Sequence, residues 1–366
     1  MRIRRAKPRH QTDAACNRQC RMDWFGFLLM GAVLFLPASG LAAEKPPQSP
    51  PPATYLRIDE STTNEVRLQT ALRRLVPVQG GGPTIWLGAV THIGTTNYFR
   101  EYTRLLATND IVLFEAVLPH RRGGWTGAEF ARLRQPAAQT ANLQTDLARA
   151  LQLAFQLETV DYSPTNFLNS DLSMEAVQGL MLAGMRQAAD KKKAVPEPDG
   201  EAAANGFNQL MDLMQGRGFI GRLVKYGVQL IAADPQLQAT TRLTFIEVLG
   251  SLKGDLAKAQ ALPPEMSDLL KVLIHRRNQK VTRDLRKTLL QPNPPASVAV
   301  FYGAGHMADL ERRVCQQLDY RPDGDVWLTA FGVDLVQFGI TRWERELIRF
   351  MTRRQMKMLN SAEQDE

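Results

Sequence analysis

Short, uninterrupted hydrophobic runs are the most informative pattern along this chain. Thr84–Val90, Ile111–Phe114 and Ser297–Tyr302 have the length and composition of strands that are buried on both faces. A segment with helical spacing ends near Ala107 and separates the first two runs, as in a parallel βαβ unit. We therefore expect the first two runs to form neighbouring parallel strands. Further strands are predicted at Tyr55–Ile58 and Val326–Ala330.

Apolar residues spaced three and four apart predict helices through the rest of the chain. The segments are Glu65–Val76, Leu143–Gln156, Ser173–Ala189, Phe207–Met214, Thr240–Leu252 and Glu265–Leu290. The polar, turn-rich stretch Asp190–Gly206 predicts a loop or a hinge. The predicted fold class is α/β, with a mixed or mainly parallel sheet formed by the N- and C-terminal parts of one domain, residues 55–335. A large helical insertion is expected between them, at about residues 126–290.

The first 43 residues have the pattern of a secretory signal peptide. Seven basic residues precede or flank the uncharged run Trp24–Leu36, and small residues follow it. Gly40 and Ala42 suit cleavage after Ala42, and the proline-rich residues 44–54 read as a linker. We expect an exported protein, periplasmic or extracellular. The alternative is an uncleaved anchor, because Trp24–Ala43 is just long enough to span a bilayer.

Charge and cysteine content narrow the function classes. The formal net charge is +8, but without the signal peptide 38 basic residues face 35 acidic ones. So small a surplus does not indicate a nucleic-acid partner. Outside the signal peptide Cys315 is the one cysteine, which excludes an intramolecular disulfide and a cysteine-based zinc site there. We expect Cys315 to be a buried small hydrophobic residue.

Candidate chemistry lies where the predicted strands end. His92 and His306 each fall in a loop just after a strand, and Glu115 closes another. Functional side chains collect at the carboxyl ends of parallel strands. Two imidazoles and a carboxylate can bind a divalent metal and leave positions open for water, although structural histidines are common. Asn278 interrupts an apolar helical stripe with Arg277 beside it, and either a site or an internal hydrogen-bond network accounts for that pair.

The motifs resemble those of the TraB/GumN (TIKI-like) family, in an exported bacterial branch. The resemblance covers roughly residues 55–335 and lies in IWLGAVTHIG, DIVLFEAV, the Arg277-Asn278 pair and VFYGAGHMADLERRV, in that order. It implies His92, Glu115, Arg277, Asn278 and His306 as site residues. In the first motif Ala89 stands where the family has glycine. Because alanine does not favour positive φ, the first loop is expected to differ in shape.

The resemblance implies a metal-dependent hydrolase, with a peptidase as one form, acting on a peptide or a small molecule. His92, His306 and Glu115 would hold Mn²⁺, Co²⁺ or Zn²⁺, with Glu115 as a ligand or general base. Arg277 and Asn278 would stabilise an oxyanion or fix the carboxylate. From the residues themselves, Asp171 and the segment Asp161–Asn166 are further polar candidates for the cleft; the alternative for the segment is a loop that caps a helix.

Two other interpretations remain open at the level of sequence. One is a non-catalytic envelope protein that binds haem or another ligand, with Tyr98, Tyr302 or a histidine on the iron. The other is a catalytically inactive relative that serves as an interaction partner. Residues 336–366 predict an amphipathic helix, Ile340–Leu359, and a polar tail. That helix suits either a membrane surface or docking on its own domain.

Overall fold

The computed structural model of the chain describes residues 54–134, 143–180, 183, 218–252 and 271–360. The expected signal peptide, nearly all of the linker, the helix predicted at Phe207–Met214 and the loop Asp190–Gly206 lie outside these residues. Nine strands are described: β1 Leu56–Thr62, β2 Glu65–Pro77, β3 Thr84–Val90, β4 Ile93–Gly94, β5 Ile111–Phe114, β6 Ala154–Phe155, β7 Phe167–Asn169, β8 Ser297–Gly303 and β9 Tyr320–Asp334.

Helices connect these strands and flank the sheet. The described helices are α1 Thr96–Leu106, α2 Gly127–Arg134, α3 Leu143–Ala150, α4 Gln156–Thr159, α5 Gly218–Ala233, α6 Pro235–Ser251, α7 Arg277–Leu289, α8 Met307–Leu318 and α9 Arg342–Asn360. A π-helical segment, Lys271–Arg276, leads into α7, and a 3₁₀ turn, Ala304–His306, leads into α8. Residues 174–180 are also helical.

Seven strands form one mixed sheet, which confirms the predicted α/β class. The order is β1-β2-β3-β8-β5-β7, and β9 pairs with β2 along its whole length. The pairs β3–β8, β8–β5 and β5–β7 are parallel, whereas β2 is antiparallel to β1, β3 and β9. The three runs first recognised as buried strands therefore form the parallel part of the sheet, and their carboxyl ends share one edge.

Both faces of the sheet are covered, which explains the continuous hydrophobic runs. Along β8, Ala299 and Phe301 belong to one buried cluster, while Val298 and Val300 belong to the other. Side chains of successive strand residues point to opposite faces. A strand between two layers therefore needs apolar residues at every position.

The helix predicted at Glu65–Val76 is wrong, because this segment is strand β2. Leu68, Leu72 and Leu75 have helical spacing, but Val66, Leu68, Thr70 and Leu72 also alternate as in a strand and are all buried. The two patterns overlap in this sequence. Pairing with β9 over Glu65–Pro77 stabilises the strand, and sequence reasoning did not foresee that long-range partner.

Two expectations about connectivity also change. The strands β3 and β5 are not neighbours, because β8 lies between them and pairs with both. A helical insertion over about residues 126–290 is not clearly shown, since β7 comes from this stretch and pairs with β5. The helix predicted over Leu143–Gln156 ends at Ala150, and Gln152 adopts a left-handed φ of 51° before the short strand β6.

The C-terminal helix α9 docks on its own domain, mainly against α6. Within the described residues, no helix is both long and apolar enough to cross a membrane. Cys315 is half-buried on α8, less buried than expected, and burial raises the pKa of its thiol to about 11.

Candidate functional site

The three residues predicted from strand ends meet at the carboxyl edge of the parallel strands. Glu115 directly follows β5, His92 follows β3 and His306 lies in the turn after β8. They surround Gly303, the last residue of β8. A Cβ atom on Gly303 would lie 3.3 Å from Glu115 Oε2, 3.7 Å from His92 Nε2 and 3.8 Å from His306 Cδ2. Because glycine has no side chain, Gly303 leaves room between the three groups.

Glu115 is held through both carboxylate oxygens. Its Oε2 accepts a hydrogen bond from the Gly303 N–H at 2.6 Å, and its Oε1 accepts one from Arg277 at 2.6 Å. The same Oε1 lies 3.6 Å from His306 Nε2. Burial by itself would raise the pKa of Glu115, but the Arg277 guanidinium and the nearby histidines outweigh it and lower that pKa to about 2. Glu115 is therefore a carboxylate at neutral pH.

Arg277 joins Glu115 to a second buried carboxylate, Asp171. The Arg277 guanidinium donates through Nε to Asp171 Oδ1 at 2.9 Å and through an Nη to Asp171 Oδ2 at 2.6 Å. Asp171 follows β7, so the sheet edge supplies this residue too, and its side chain is fully buried. Burial raises the pKa of Asp171 against the attraction of Arg277. The sequence had marked Asp171 as a polar candidate, and the structure places it directly behind Arg277.

Asn278 fixes the ring of His306. Its Nδ2 donates to the His306 backbone carbonyl at 3.0 Å and to Asp309 Oδ2 at 2.9 Å. Its Oδ1 therefore faces the ring and lies 2.7 Å from His306 Nδ1. An amide oxygen only accepts, so His306 carries a proton on Nδ1 and, when neutral, has its lone pair on Nε2. Asp309 is fully buried and is itself held by Arg313 at 2.6 Å.

Gln156 orients the ring of His92 in the same way as Asn278 orients the ring of His306. The Gln156 Nε2 donates to the Tyr162 hydroxyl at 3.0 Å, which turns its Oε1 towards His92 Nδ1 at 3.1 Å. The neutral ring of His92 then has its lone pair on Nε2, the nitrogen next to Gly303. The backbone N–H of Gln156 also donates to the His92 carbonyl at 2.8 Å. Sequence reasoning missed Gln156, which lay inside a segment read as a helix.

The departure at Ala89 does not distort the first loop. Ala89 lies within β3, and the described non-glycine residues with positive φ are Gln152 and Asp319. The shape change expected for this loop is therefore not required by its backbone. Ala89 is buried, and its carbonyl accepts a hydrogen bond from the Tyr102 hydroxyl.

The two tyrosines considered as haem ligands are buried, and the hydroxyl group of each one is hydrogen-bonded within the protein. The Tyr98 hydroxyl lies 3.0 Å from Thr70 Oγ1 and accepts from the Thr91 N–H at 3.2 Å. The Tyr302 hydroxyl donates to the Ser170 carbonyl. Burial raises the pKa of both phenols, which disfavours the phenolate that iron would need. Neither hydroxyl presents itself to a ligand.

The donor set suits a divalent metal, although the side chains are not gathered around one point. In the described part of the chain, no group of three or more His, Cys, Asp or Glu side chains has the spacing of a metal site. Arg277 and the Gly303 N–H each donate to one oxygen of Glu115. Each carboxylate oxygen still has a second lone pair. Two imidazoles supported at Nδ1, one carboxylate and the space at Gly303 fit such an ion chemically.

Comparison with protein-family models, curated proteins and solved structures finds no match to this chain.

Proposed function

We propose that this chain is an exported, divalent-metal-dependent hydrolase of the TraB/GumN (TIKI-like) type, acting on a peptide or a small molecule. The observation that carries the proposal is the support of both histidines. The side-chain oxygen of Asn278 accepts a hydrogen bond from Nδ1 of His306, and that of Gln156 accepts one from Nδ1 of His92. Nε2 of each ring therefore faces Glu115 and Gly303. Metal-bound histidines are typically supported in this way by a partner on the other ring nitrogen.

In this proposal His92, His306 and Glu115 would hold Mn²⁺, Co²⁺ or Zn²⁺. Such an ion, when bound, would supply Lewis acidity for polarising a substrate carbonyl and lowering the pKa of a bound water. Arg277 orients Glu115 and shares its single positive charge between Glu115 and Asp171, because the guanidinium contacts both carboxylates. Asn278 orients His306. These contacts favour positioning roles for Arg277 and Asn278 over direct stabilisation of an oxyanion.

The proposal is tested by elemental analysis of the chain purified after export, loaded with metal and desalted. We expect about one Mn, Co or Zn per chain, by the ligand count of such sites. The variants His92→Ala and His306→Ala should each lose the ion and any peptidase activity found in a substrate screen. His120→Ala is the matched control, because it removes an exposed histidine that lies six residues beyond the end of β5.

Two results would contradict the assignment. If the wild-type chain holds no metal, the hydrolase proposal fails. If His306→Ala retains full metal and turnover, His306 is not a ligand and the two motifs do not form one site.

A further inference from the structure

The helix α9 docks on the protein with its polar side. Arg349 donates to Glu247 of α6 at 3.1 and 3.0 Å, and it also contacts Glu60 of β1. Arg345 forms a second ion pair with Glu60 at 2.5 Å. Thr352, one turn after Ile348, is buried on the same side. Ion pairs therefore contribute to this contact together with the apolar packing of Ile348.

The opposite side of α9 presents large apolar residues to solvent. The side chains of Trp343, Leu347, Phe350 and Met351 are 70%, 40%, 62% and 55% exposed, respectively. Their spacing of four, three and one places them on one stripe, since successive helix residues are rotated by about 100°. Thr352 lies about half a turn from Trp343 on that wheel, so the exposed stripe and the docked side face in opposite directions.

The exposure of this stripe departs from the usual arrangement, although Ile348 on the docked side packs against the core. A surface helix normally turns its apolar stripe to the core and its charged side to water. Within the residues described, no carboxylate lies within ion-pair distance of Arg342, Arg353 or Arg354, which are exposed near the stripe. Of the six basic residues of α9, Arg345 and Arg349 face the domain, which leaves four basic residues against two acidic ones, Glu344 and Glu346, on the rest of the helix. The outer side of the helix is thus apolar and positively charged.

We propose that this outer side of α9 is a docking surface for an anionic lipid membrane. Helices that lie in the membrane interface combine an aromatic and apolar stripe with flanking basic residues. Trp343 and Phe350 would enter the boundary between headgroups and acyl chains. Arg342, Arg353 and Arg354 would contact lipid phosphates, while the inner arginines keep α9 attached to the domain. The inference does not depend on the proposed hydrolase.

The test is flotation of the purified chain with vesicles of phosphatidylcholine alone or of phosphatidylcholine with one-third phosphatidylglycerol. We expect binding to the anionic vesicles that weakens as salt is raised. The double variant Arg353→Glu, Arg354→Glu should bind about 25-fold more weakly or worse, since each arginine near an anionic surface contributes about fivefold. The double variant Trp343→Ser, Phe350→Ser should also lose binding.

Matched controls change similar side chains elsewhere. Leu290→Ser with Val78→Ser removes exposed apolar residues away from α9, and Arg100→Glu with Arg132→Glu reverses two exposed charges. Both controls should bind as the wild-type chain does. All variants carry the same N-terminal segment, so any binding by that segment is common to them. Urea unfolding of each variant checks that the fold is retained.

Three outcomes would overturn the proposal. In the first, the wild-type chain floats with neither type of vesicle, or the α9 variants float as well as their controls. In the second, binding to neutral and anionic vesicles is equal, which removes the role of the arginines. In the third, light scattering shows a dimer that Trp343→Ser with Phe350→Ser converts to a monomer, which makes the stripe a contact between copies of the chain.

Discussion

Two side-chain amides determine which ring nitrogen each histidine turns towards Glu115. Asn278 cannot rotate its amide without losing its bonds to the Asp309 carboxylate and the His306 carbonyl, which only accept. Gln156 is held in the observed orientation by its bond to the Tyr162 hydroxyl. In these orientations the amides select the Nδ1–H form of each neutral imidazole. Such preorganisation lowers the cost of assembling a metal site.

Replacing Gln156 should weaken metal binding without unfolding the domain. In Gln156→Leu the proton on His92 is free to move to Nε2 and the ring is free to turn. Loss of such a supporting group typically costs about 10–100-fold in metal affinity. The affinity can be measured by competition with a chelator. Gln238→Leu is the control, because Gln238 is also buried but bonds to the Ala232 carbonyl on another part of the chain. Equal losses in both variants would show a general effect of burying leucine.

Gly303 should be essential to the site and dispensable to the fold. Its φ is −53°, which alanine accepts, but the new Cβ would lie 3.3 Å from Glu115 Oε2. We expect Gly303→Ala to displace that oxygen by a few tenths of an ångström and to lower metal affinity about tenfold or more. The free energy of unfolding should change by less than about 1 kcal/mol.

Gly88→Ala provides the comparison on the neighbouring strand. A Cβ there would make ordinary contacts, with Leu72 and Tyr102 at 3.4 Å. Metal affinity should be unchanged in this variant. A normal affinity in Gly303→Ala would show that the space at Gly303 has no part in the site.

Glu115 should contribute to the acid stability of the metal-free protein. Its pKa is lowered from 4.5 to about 2 in the folded state. A group with a depressed folded pKa stabilises the fold above its unfolded pKa, and this contribution is lost as the pH falls through the folded value. The contribution of Glu115 should therefore disappear between about pH 4.5 and pH 2.

Urea unfolding across that window, in the presence of a chelator, provides the measurement. Glu115→Gln should show a flatter pH dependence than the wild-type chain. The difference between the two chains isolates Glu115 from Asp171, whose raised pKa acts in the opposite direction. Glu101→Gln is the control, since Glu101 pairs with Arg104 on an exposed surface. Parallel curves for wild type and Glu115→Gln would mean that Arg277 does not stabilise the Glu115 carboxylate.

At the scale of elements, the ion pair between α9 and α6 should hold the C-terminal helix in place. The Glu247 side chain is 1% exposed, so Arg349→Met leaves a buried carboxylate without its main partner. Breaking a buried pair from one side costs about 3–5 kcal/mol. The double variant Arg349→Met, Glu247→Leu should recover most of this loss, because both buried charges are gone.

Urea unfolding measures these stabilities, and Arg353→Met serves as the surface control with an expected change within about 0.5 kcal/mol. A small loss in Arg349→Met, similar to that of the control, would show that α9 docks without help from this ion pair.

The strands of the parallel region were predictable because each one is buried on both faces. Within the run Ser297–Tyr302, the four residues Val298–Phe301 are all apolar, so no polar position suggests another structure. β2 was not predictable, since its leucines fit helical and strand spacing alike, and its partner β9 lies far along the chain. Local patterns indicate an element only where one periodicity excludes the other.

The candidate site was predictable in its residues but not in its arrangement. His92, Glu115 and His306 were found because polar residues directly after buried strands lie at a common sheet edge. The sequence did not reveal that β8 separates β3 and β5, and so it did not show that Gly303 lies between the three side chains. Gln156 carried no signal, because one glutamine in an apparently helical segment looks like any surface residue.

At the scale of the whole molecule, the position of β8 governs when the sheet becomes complete. β8 pairs with β3 on one side and with β5 on the other, yet it follows both by a long stretch of chain. Contacts between residues so far apart in sequence form slowly, because a large loop must close first.

A ribosome makes the chain from its N-terminus, so β3 and β5 are synthesised long before the strand that joins them. Until β8 arrives, each has an edge of unpaired N–H and C=O groups facing the gap. The nascent chain therefore cannot assemble the candidate site early, and a product truncated before residue 297 would lack His306 and expose two unpaired strand edges. Loss of the last 70 residues would accordingly yield an aggregation-prone fragment rather than a folded protein that lacks only part of its candidate site.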